Sequence, residues 1–511
     1  MPRSSEPGLR RALVLLAVFV CAACGLVYEL ALVALGAYLF GNTITQASVV
    51  LALMVFAMGV GSLLAKRLTP RAAVSFALVE VALAVIGGTS VMLLYAAFAW
   101  WSLYQPVLVL LALLIGLLIG AEIPLLMTLL QRIRRQDASS AVADLFAADY
   151  VGALVGGLAF PFLLLPWLGL LQGTLAVGAV NAVAGAAVTL ALFRPDLRRR
   201  ARWALSALLA ATLALLGGLA WFAHDFEVTA RQRIFRDPVV SAQRTPYQEI
   251  VLTRSVRGGD TRMFLNGDLQ FSSRDEYRYH EALVHPAMAG KRARVLVLGG
   301  GDGLAAREIL RYDDVESVTL VDLDPAVVRL ARTDPTLRRL NAGAFDDPRM
   351  RVISADAFSW LRSQPGTYDV VVVDLPDADD VGTAKLYSTE FYGLVRQHLA
   401  PGGRVVVQAG SPYFAREAFW TTGASLRAAG LATRAYHVDV PSFGDWGFFL
   451  AAPGAAPPLR VPQGMPRTRF LDAAVLRAAQ VFPRDRAPLT LSPSTLLDPV
   501  ILRRGGDWQG Y

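Results

Sequence analysis

Before Phe222 the chain offers almost nothing that can be left in water. Seven runs of about 20 apolar residues, each long enough to cross a bilayer as a helix, follow one another with short breaks. They cover Ala12 to Leu39, Ile44 to Ala65, Ala72 to Phe98, Pro106 to Leu130, Ala147 to Leu165, Thr174 to Phe193 and Trp203 to Phe222. Hydrophobic residues make up 54% of the 511 and charged ones only 18%, and most of that bias sits in this half. The remainder reads as ordinary soluble sequence, so two materials are joined in one chain.

Basic residues fall in alternate breaks: Arg3, Arg10 and Arg11 before the first run, Lys66, Arg67 and Arg71 after the second, Arg132, Arg134 and Arg135 after the fourth, and a cluster from Arg194 to Arg202 after the sixth. The breaks near Asn42, Ser102 and Gly169 carry none, which places the amino terminus in the cytoplasm by the positive-inside rule. The net charge of +8 therefore reflects membrane orientation, and no nucleic-acid partner is expected. Seven crossings would leave the soluble half outside; either one run is re-entrant or interfacial, or that half is extracytoplasmic. The first run is about twice the length of a signal peptide's apolar core, so a cleavable signal is not expected. Cys21 and Cys24, the two cysteines, lie inside it and read as packing residues rather than redox or metal ligands. Glu29, Glu80, Glu122 and Asp149 lie within or at the edge of the runs. Such groups face the bundle interior or water, suiting interhelical hydrogen bonds first and a polyamine path second. Gly59, Gly61, Gly152, Gly156 and Gly157 suit close helix packing.

In the soluble half, Tyr247 to Leu252 reads as a strand and Met263 to Gln270 as a hairpin around Asn266-Gly267, giving a small β unit. A helix opens near Asp275. Arg294 to Leu298 is then a buried-strand run that ends in Gly299-Gly300-Gly301-Asp302-Gly303 and passes into a helix from Leu304 to Arg311. Strand, glycines and helix open a Rossmann-like unit, with backbone amides and a positive helix end turned to a ligand. A second strand, Ser317 to Val321, stops at Asp322, about 20 residues on, where a carboxylate suits a ribose. Further strands, Met350 to Ser354 and Tyr368 to Val373, run into Asp356-Ala357 and Asp374. Asp302, Asp322, Asp356 and Asp374 thus meet at one sheet edge, with Asp377 close by. Crowded carboxylates want a cation. A sulfonium nucleoside or polyamine fits better than a metal, for which no histidine or cysteine spacing is apparent beyond His280 and His285.

From Tyr247 to Phe449 the residues resemble the polyamine aminopropyltransferase (spermidine synthase) family, through motifs in family order. These are Tyr247-Gln248, Leu265-Asn266-Gly267 with Gln270, Asp275-Glu276, Tyr279-His280-Glu281, His285-Pro286, the glycine motif and Asp322-Leu323-Asp324. Asp356-Ala357-Phe358, Asp374 through Asp377, Leu386-Tyr387-Ser388, Glu390-Phe391-Tyr392, Pro401-Gly402-Gly403, Gln408 and Ser411-Pro412 follow. The multi-span half is similar to a membrane-bound bacterial subgroup. The resemblance implies transfer of an aminopropyl group from decarboxylated S-adenosylmethionine to putrescine or a related polyamine, giving spermidine and methylthioadenosine with no cofactor beyond the donor. By position, Gln248, Asp302, Asp322, Asp356 and Ala357 would hold the donor: Asp322 the ribose, Asp356 and Ala357 the adenine, Asp302 the ammonium. Tyr279, His280 and Asp377 would hold the acceptor, with Asp374 as catalytic base. It also implies a homo-oligomer and a multi-pass protein of the cell membrane lipid bilayer.

Several positions depart from the family pattern. Its Asp-Ser-Ser-Asp-Pro is here Asp374-Leu375-Pro376-Asp377-Ala378, the following Gly-Pro is Gly382-Thr383, Leu304 fills the sixth glycine-motif position, Asp322 replaces a glutamate, and Phe443 stands where a tyrosine is usual. Acceptor identity is affected more than donor identity. The competing functions are an S-adenosylmethionine-dependent methyltransferase, against which Asp302 and the Tyr-His-Glu segment weigh, and a membrane polyamine sensor or transporter with a non-catalytic soluble domain. The expected fold is a multi-span α-helical membrane domain (1–225), a small β unit with a linking helix (226–285), an α/β Rossmann-like (class I methyltransferase-like) domain (286–455) and a C-terminal extension (456–511). The tail from Pro466 carries no assignable motif and is expected to cover the domain surface.

Overall fold

The computed structural model describes residues 6–40, 43–101, 103–133, 138–193, 197–235, 237–256 and 258–505. Arg3, Asn42, Ser102, Arg134, Arg135 and Arg194 of the loop pattern lie outside the described residues. The chain separates into two units, Met1–Arg236 and Asp237–Tyr511.

The first unit is helical: α1 (Glu6–Phe40), α2 (Thr43–Ala65), α3 (Ala72–Ala96), α4 (Tyr104–Ile133), α5 (Ala138–Ala159), α6 (Leu165–Ala186) and α7 (Arg199–Phe235). Among the described residues, six helical stretches are long and apolar enough to cross a membrane. The fifth, Val142–Leu192, has 51 residues, or about 77 Å of helix, more than twice a bilayer core of about 30 Å. It doubles back. Gly169, at φ 69° and ψ −177°, leaves helical geometry. On its two sides the direction differs: Gly152 sits against Phe19 and Gly156 against Ala23, so α5 runs with α1. Asn181 instead reaches the Glu80 carbonyl and Thr189 that of Ala73, so α6 runs against α3, and α3 runs with α1, since Cys21 neighbours Glu80 and Tyr28 neighbours Gly87. The fifth and sixth apolar runs are the two arms of this one stretch.

Small residues set the helix spacing, though not all at the positions the sequence suggested. Gly116 and Gly120, one turn apart on α4, receive the backbone of Met54 and Met58 on α2, and a Cβ on Gly116 would stand 2.6 Å from the Met54 carbonyl oxygen. Gly61 meets Leu117 in the same seam, whereas Gly59 has nothing within 4 Å and packs against no one. The outward faces are apolar, with Phe56, Phe162, Trp167 and Trp221 exposed, a surface that water would penalise and lipid would not.

The second unit opens on an antiparallel sheet of β1 (Val239–Arg244), β2 (Glu249–Arg254), β3 (Thr261–Leu265) and β4 (Asp268–Ser272) in that order. Asn266 and Gly267, at φ 51° and 95°, make the tight β3–β4 turn. The strand expected from Tyr247 begins two residues later. Thr245 Oγ1 accepts the amides of both Tyr247 and Gln248, bending the chain before β2 can start.

After α8 (Glu276–Val284), β5 (Arg294–Gly299), α9 (Leu304–Leu310), β6 (Ser317–Asp322), α10 (Pro325–Thr333), α11 (Pro335–Leu340), β7 (Met350–Ser354), α12 (Ala357–Ser363) and β8 (Tyr368–Asp374) alternate, and β9 (Leu399–Gln408), β10 (Leu431–Val440) and β11 (Gly444–Pro453) close the sheet. Its order is β10-β11-β9-β8-β5-β6-β7, with the strands from β5 to β9 parallel. Both faces are buried, so β5 is apolar at every inner position: Val295 and Val297 pack on one layer, Leu296 and Leu298 on the other. The order reverses between β5 and β8, the place where such sheets bind ligands.

The tail is tied to α8. Glu281 is 1% exposed, and its carboxylate accepts the amides of Arg469, Phe470 and Leu471 at 2.7, 2.9 and 2.9 Å. Leu471, Leu476, Val500 and Ile501 are buried beyond it.

Candidate active site

Sheet register assembles the site. Leu298 pairs with Val321 on one side and Gly299 with Asp374 on the other, so Asp322, Gly299 and Asp374 occupy one rung at the carboxyl edge. The glycine loop bends tightly around them. Gly299, Gly300 and Gly303 take φ of 81°, 66° and 81°, a region costly for residues with a Cβ. A Cβ on Gly301 would stand 2.6 Å from an Asp322 carboxylate oxygen.

Asp322 accepts the Gly301 amide at 3.0 Å and the Asp324 amide at 2.9 Å, and Asp302 accepts the Leu304 amide at 2.8 Å. Burial still pushes both carboxyls up, each to about 6, and Asp374 adds to the rise at Asp302. Asp374 is itself raised by burial, while His280 and a hydrogen bond from Tyr279 pull it down.

Tyr279 donates its hydroxyl to Asp374 at 2.6 Å. Its ring is held edge-on or tilted among His280, Phe443, Trp446 and Phe448, with centroids 4.9, 6.0, 6.4 and 5.4 Å away. This gives the Asp374 carboxylate an apolar wall on one side. His280 is 2% exposed and places Nδ1 2.8 Å from the Glu276 carbonyl and 3.0 Å from its carboxylate. Burial lowers its pKa, but Glu276 outweighs this and the net shift is upward. The imidazolium so favoured also feels Asp302 and Asp374.

Asp377 sits in a loop pinned by Gln408, whose amide reaches Asp377 Oδ1 at 3.2 Å and the Tyr387 hydroxyl at 2.7 Å. Burial, then Asp379, then Asp268 push it up to about 7, with Gln408 opposing. Asp302, Asp322, Asp374 and Asp377 are thus gathered with Tyr279 and His280.

Two sequence-assigned residues have their polar groups engaged by partners within the chain. Asp356 caps α12 through the Ser359 amide and pairs with Lys385 at 2.7 Å, so its charge is already answered rather than adding to the cluster. Burial notwithstanding, that lysine holds its carboxyl below the usual range. Ala357 beside it is buried. Gln248 bonds Asp324 at 3.1 Å, next to Asp322 rather than over it. His285 turns away to Tyr312 and Glu308, at 2.7 and 3.2 Å, and does not join His280 as a ligand pair.

Sequence reasoning missed the support behind His280. Arg307 clamps both oxygens of Glu276 at 2.9 Å each, which fixes the carboxylate that fixes the histidine. It also missed Asp268 and Asp379 near Asp377. The run Asp377-Ala378-Asp379-Asp380 was visible, but nothing local shows that Asp268, across a hairpin, shares its field.

A sheet switch point lined with buried carboxylates, one of them set against an aromatic wall, is the candidate active site of a Rossmann-like domain. Residues 276–457 match the spermine/spermidine synthase domain. Polyamine aminopropyltransferase 1 of Streptomyces coelicolor is 58% identical over 506 residues, 98% of this chain and 95% of that one. The polyamine aminopropyltransferase of Mycobacterium tuberculosis is 51% identical over 518 residues, covering 99% and 98%. A crystal structure of spermidine synthase in complex with the transition state analogue AdoDATO aligns with TM-score 0.44 and 24% identity, over 48% of this chain and 85% of that chain. The chain belongs to the polyamine aminopropyltransferase family, and it is a spermidine synthase-like enzyme.

Proposed function

We propose that the enzyme moves an aminopropyl group from decarboxylated S-adenosylmethionine to putrescine, with the helical half seated in the cell membrane. The observation that carries this is the rung of Asp322, Gly299 and Asp374 beside Tyr279. Donor and base then meet at one switch point, and three further residues, Asp302, His280 and Asp377, surround them.

Asp322 takes the ribose hydroxyls, Gln248 steadies Asp324 at that end, and Ala357 lies along the adenine with Asp356 at its edge. Asp302 faces the donor's ammonium. S-adenosylmethionine keeps a carboxylate at that position, and like charge would set it against Asp302, which disfavours methyl transfer. The acceptor chain lies along Tyr279, His280 borders it, and Asp377 holds its far ammonium. The near amine attacks the methylene next to sulfur as the carbon–sulfur bond breaks; methylthioadenosine leaves with that bond's electron pair, and Asp374 accepts the proton lost from nitrogen. The sulfonium charge is discharged in the same step. No cofactor besides the donor is required.

Asp377 must be ionised to hold an ammonium, so acceptor kcat/KM is expected to step upward as pH rises through about 7. This step adds to the slope from the amine's own deprotonation. The test is kcat/KM against pH for putrescine, cadaverine and spermidine, with wild type and Asp377→Asn. The reading expects putrescine to be preferred, the step to vanish in the variant, and acceptor kcat/KM to fall on the order of 100-fold at pH 8, the loss of one charged hydrogen bond. A different preferred amine would overturn the acceptor assignment, and an unchanged profile would overturn the role of Asp377.

A further inference from the structure

Four helices of the first unit bring together polar groups that the chemistry of the soluble half does not use. Cys21 Sγ on α1 and carboxylate oxygens of Glu80 on α3 and Glu122 on α4 lie within 4.8 Å of one another. Tyr28, two turns along α1 from Cys21, lays its ring against Gly87, two turns along α3 from Glu80, and Asn181 of α6 donates its amide to the Glu80 carbonyl at 3.4 Å. The side chains are deeply enclosed, at 0% exposure for Tyr28 and Asn181, 1% for Glu80 and 5% for Glu122. Yet Tyr28 Oη, Asn181 Oδ1 and Glu122 Oε1 have no hydrogen-bond partner among the described residues. A buried polar atom left unpaired costs about 1–3 kcal/mol, and an acid in an apolar helical bundle is costly unless it is paired or meets a ligand.

What these atoms lack is a donor. Two carboxylates, an amide oxygen and a phenolic oxygen form an acceptor-rich set, and the complementary partner is a cation with several N–H groups. A metal suits the set less well: the thiol prefers soft ions, while the oxygens prefer hard ones. An ammonium uses the oxygens and leaves Cys21 as a neutral neighbour.

We propose that Cys21, Tyr28, Glu80, Glu122 and Asn181 surround a second binding site, in the helical half, for a protonated amine. The choice of spermidine or putrescine as its occupant rests on the aminopropyl-transfer reading; the acceptor geometry does not. The helical half is then a polyamine-binding domain in its own right, coupled to the enzyme by sharing its substrate or product.

Equilibrium dialysis of radiolabelled spermidine against the full-length protein in detergent tests this. Wild type is expected to bind two equivalents. The Glu80→Gln/Glu122→Gln double variant is expected to bind one and still form product. Asp377→Asn keeps the helical equivalent, Cys21→Ser keeps both, and Asn181→Asp, with an added negative acceptor, tightens the helical equivalent several-fold. A single equivalent in wild type, removed by Asp377→Asn, overturns the proposal. So does a second equivalent indifferent to Glu80, Glu122 and Asn181, or a stoichiometric zinc or manganese ion that survives purification and is lost in Cys21→Ser. Should no product form while the Glu80/Glu122-dependent equivalent persists, the transfer reading falls and this site stands. Product formation and the Asn181→Asp gain show that the variants fold.

Discussion

Asp374→Asn is expected to lower product formation on the order of 10³-fold while leaving donor affinity within a few-fold of wild type. The amide occupies the same rung opposite Gly299 and can still take the Tyr279 hydroxyl bond, so the site keeps its shape. What it loses is the ability to accept a proton from the attacking nitrogen. Burial, which raises this carboxyl above its ordinary value, makes it a better proton acceptor than an exposed aspartate. Steady-state kinetics with both substrates, alongside donor binding by calorimetry, separates the two effects. A loss of donor affinity equal to the loss of rate would place Asp374 in donor binding instead.

Glu281→Ala is expected to destabilise the soluble unit on the order of 3–5 kcal/mol. Three tail amides lose a buried anionic acceptor together, and each such bond contributes about 1.5–3 kcal/mol when its partner is charged. The consequence reaches the site, because Glu281 follows Tyr279 and His280 on α8. Thermal unfolding of the full chain should show a lowered transition for the soluble unit, and limited proteolysis should cut the tail after about residue 466. Glu281→Gln, which keeps one accepting oxygen, should recover part of the loss. A transition unchanged in Glu281→Ala would mean that the tail is held by its buried apolar side chains alone.

Much of the site was legible because it lies where strands end. An acidic residue closing each of β6 and β8, and a glycine turn after β5, can be read from spacing, and register then aligns Asp322, Gly299 and Asp374. The turn near Gly169 was also visible as a break without charge. The remainder depended on partners far away in the chain. Lys385 neutralises Asp356 from 29 residues off, and Glu281 ties residues about 190 positions later. No local pattern announces either. Strand β9 hid for a different reason: it contains Pro401-Gly402-Gly403, which reads as a turn, and the sheet absorbs it through a register shift against β8 between Tyr368 and Val370. Gly116 and Gly120 were in plain view as a small-residue pair one turn apart, but nothing local in their apolar run says that this face, rather than the glycines of other runs, meets a neighbouring helix.

The aminopropyl-transfer account is tested most directly by mass analysis of the products formed when the purified full-length protein meets decarboxylated S-adenosylmethionine and putrescine. Methylthioadenosine and spermidine in equal amounts, with both lost in Asp374→Asn, is the predicted result. Donor bound tightly with neither product formed, or methylthioadenosine released without an extended amine, would contradict it.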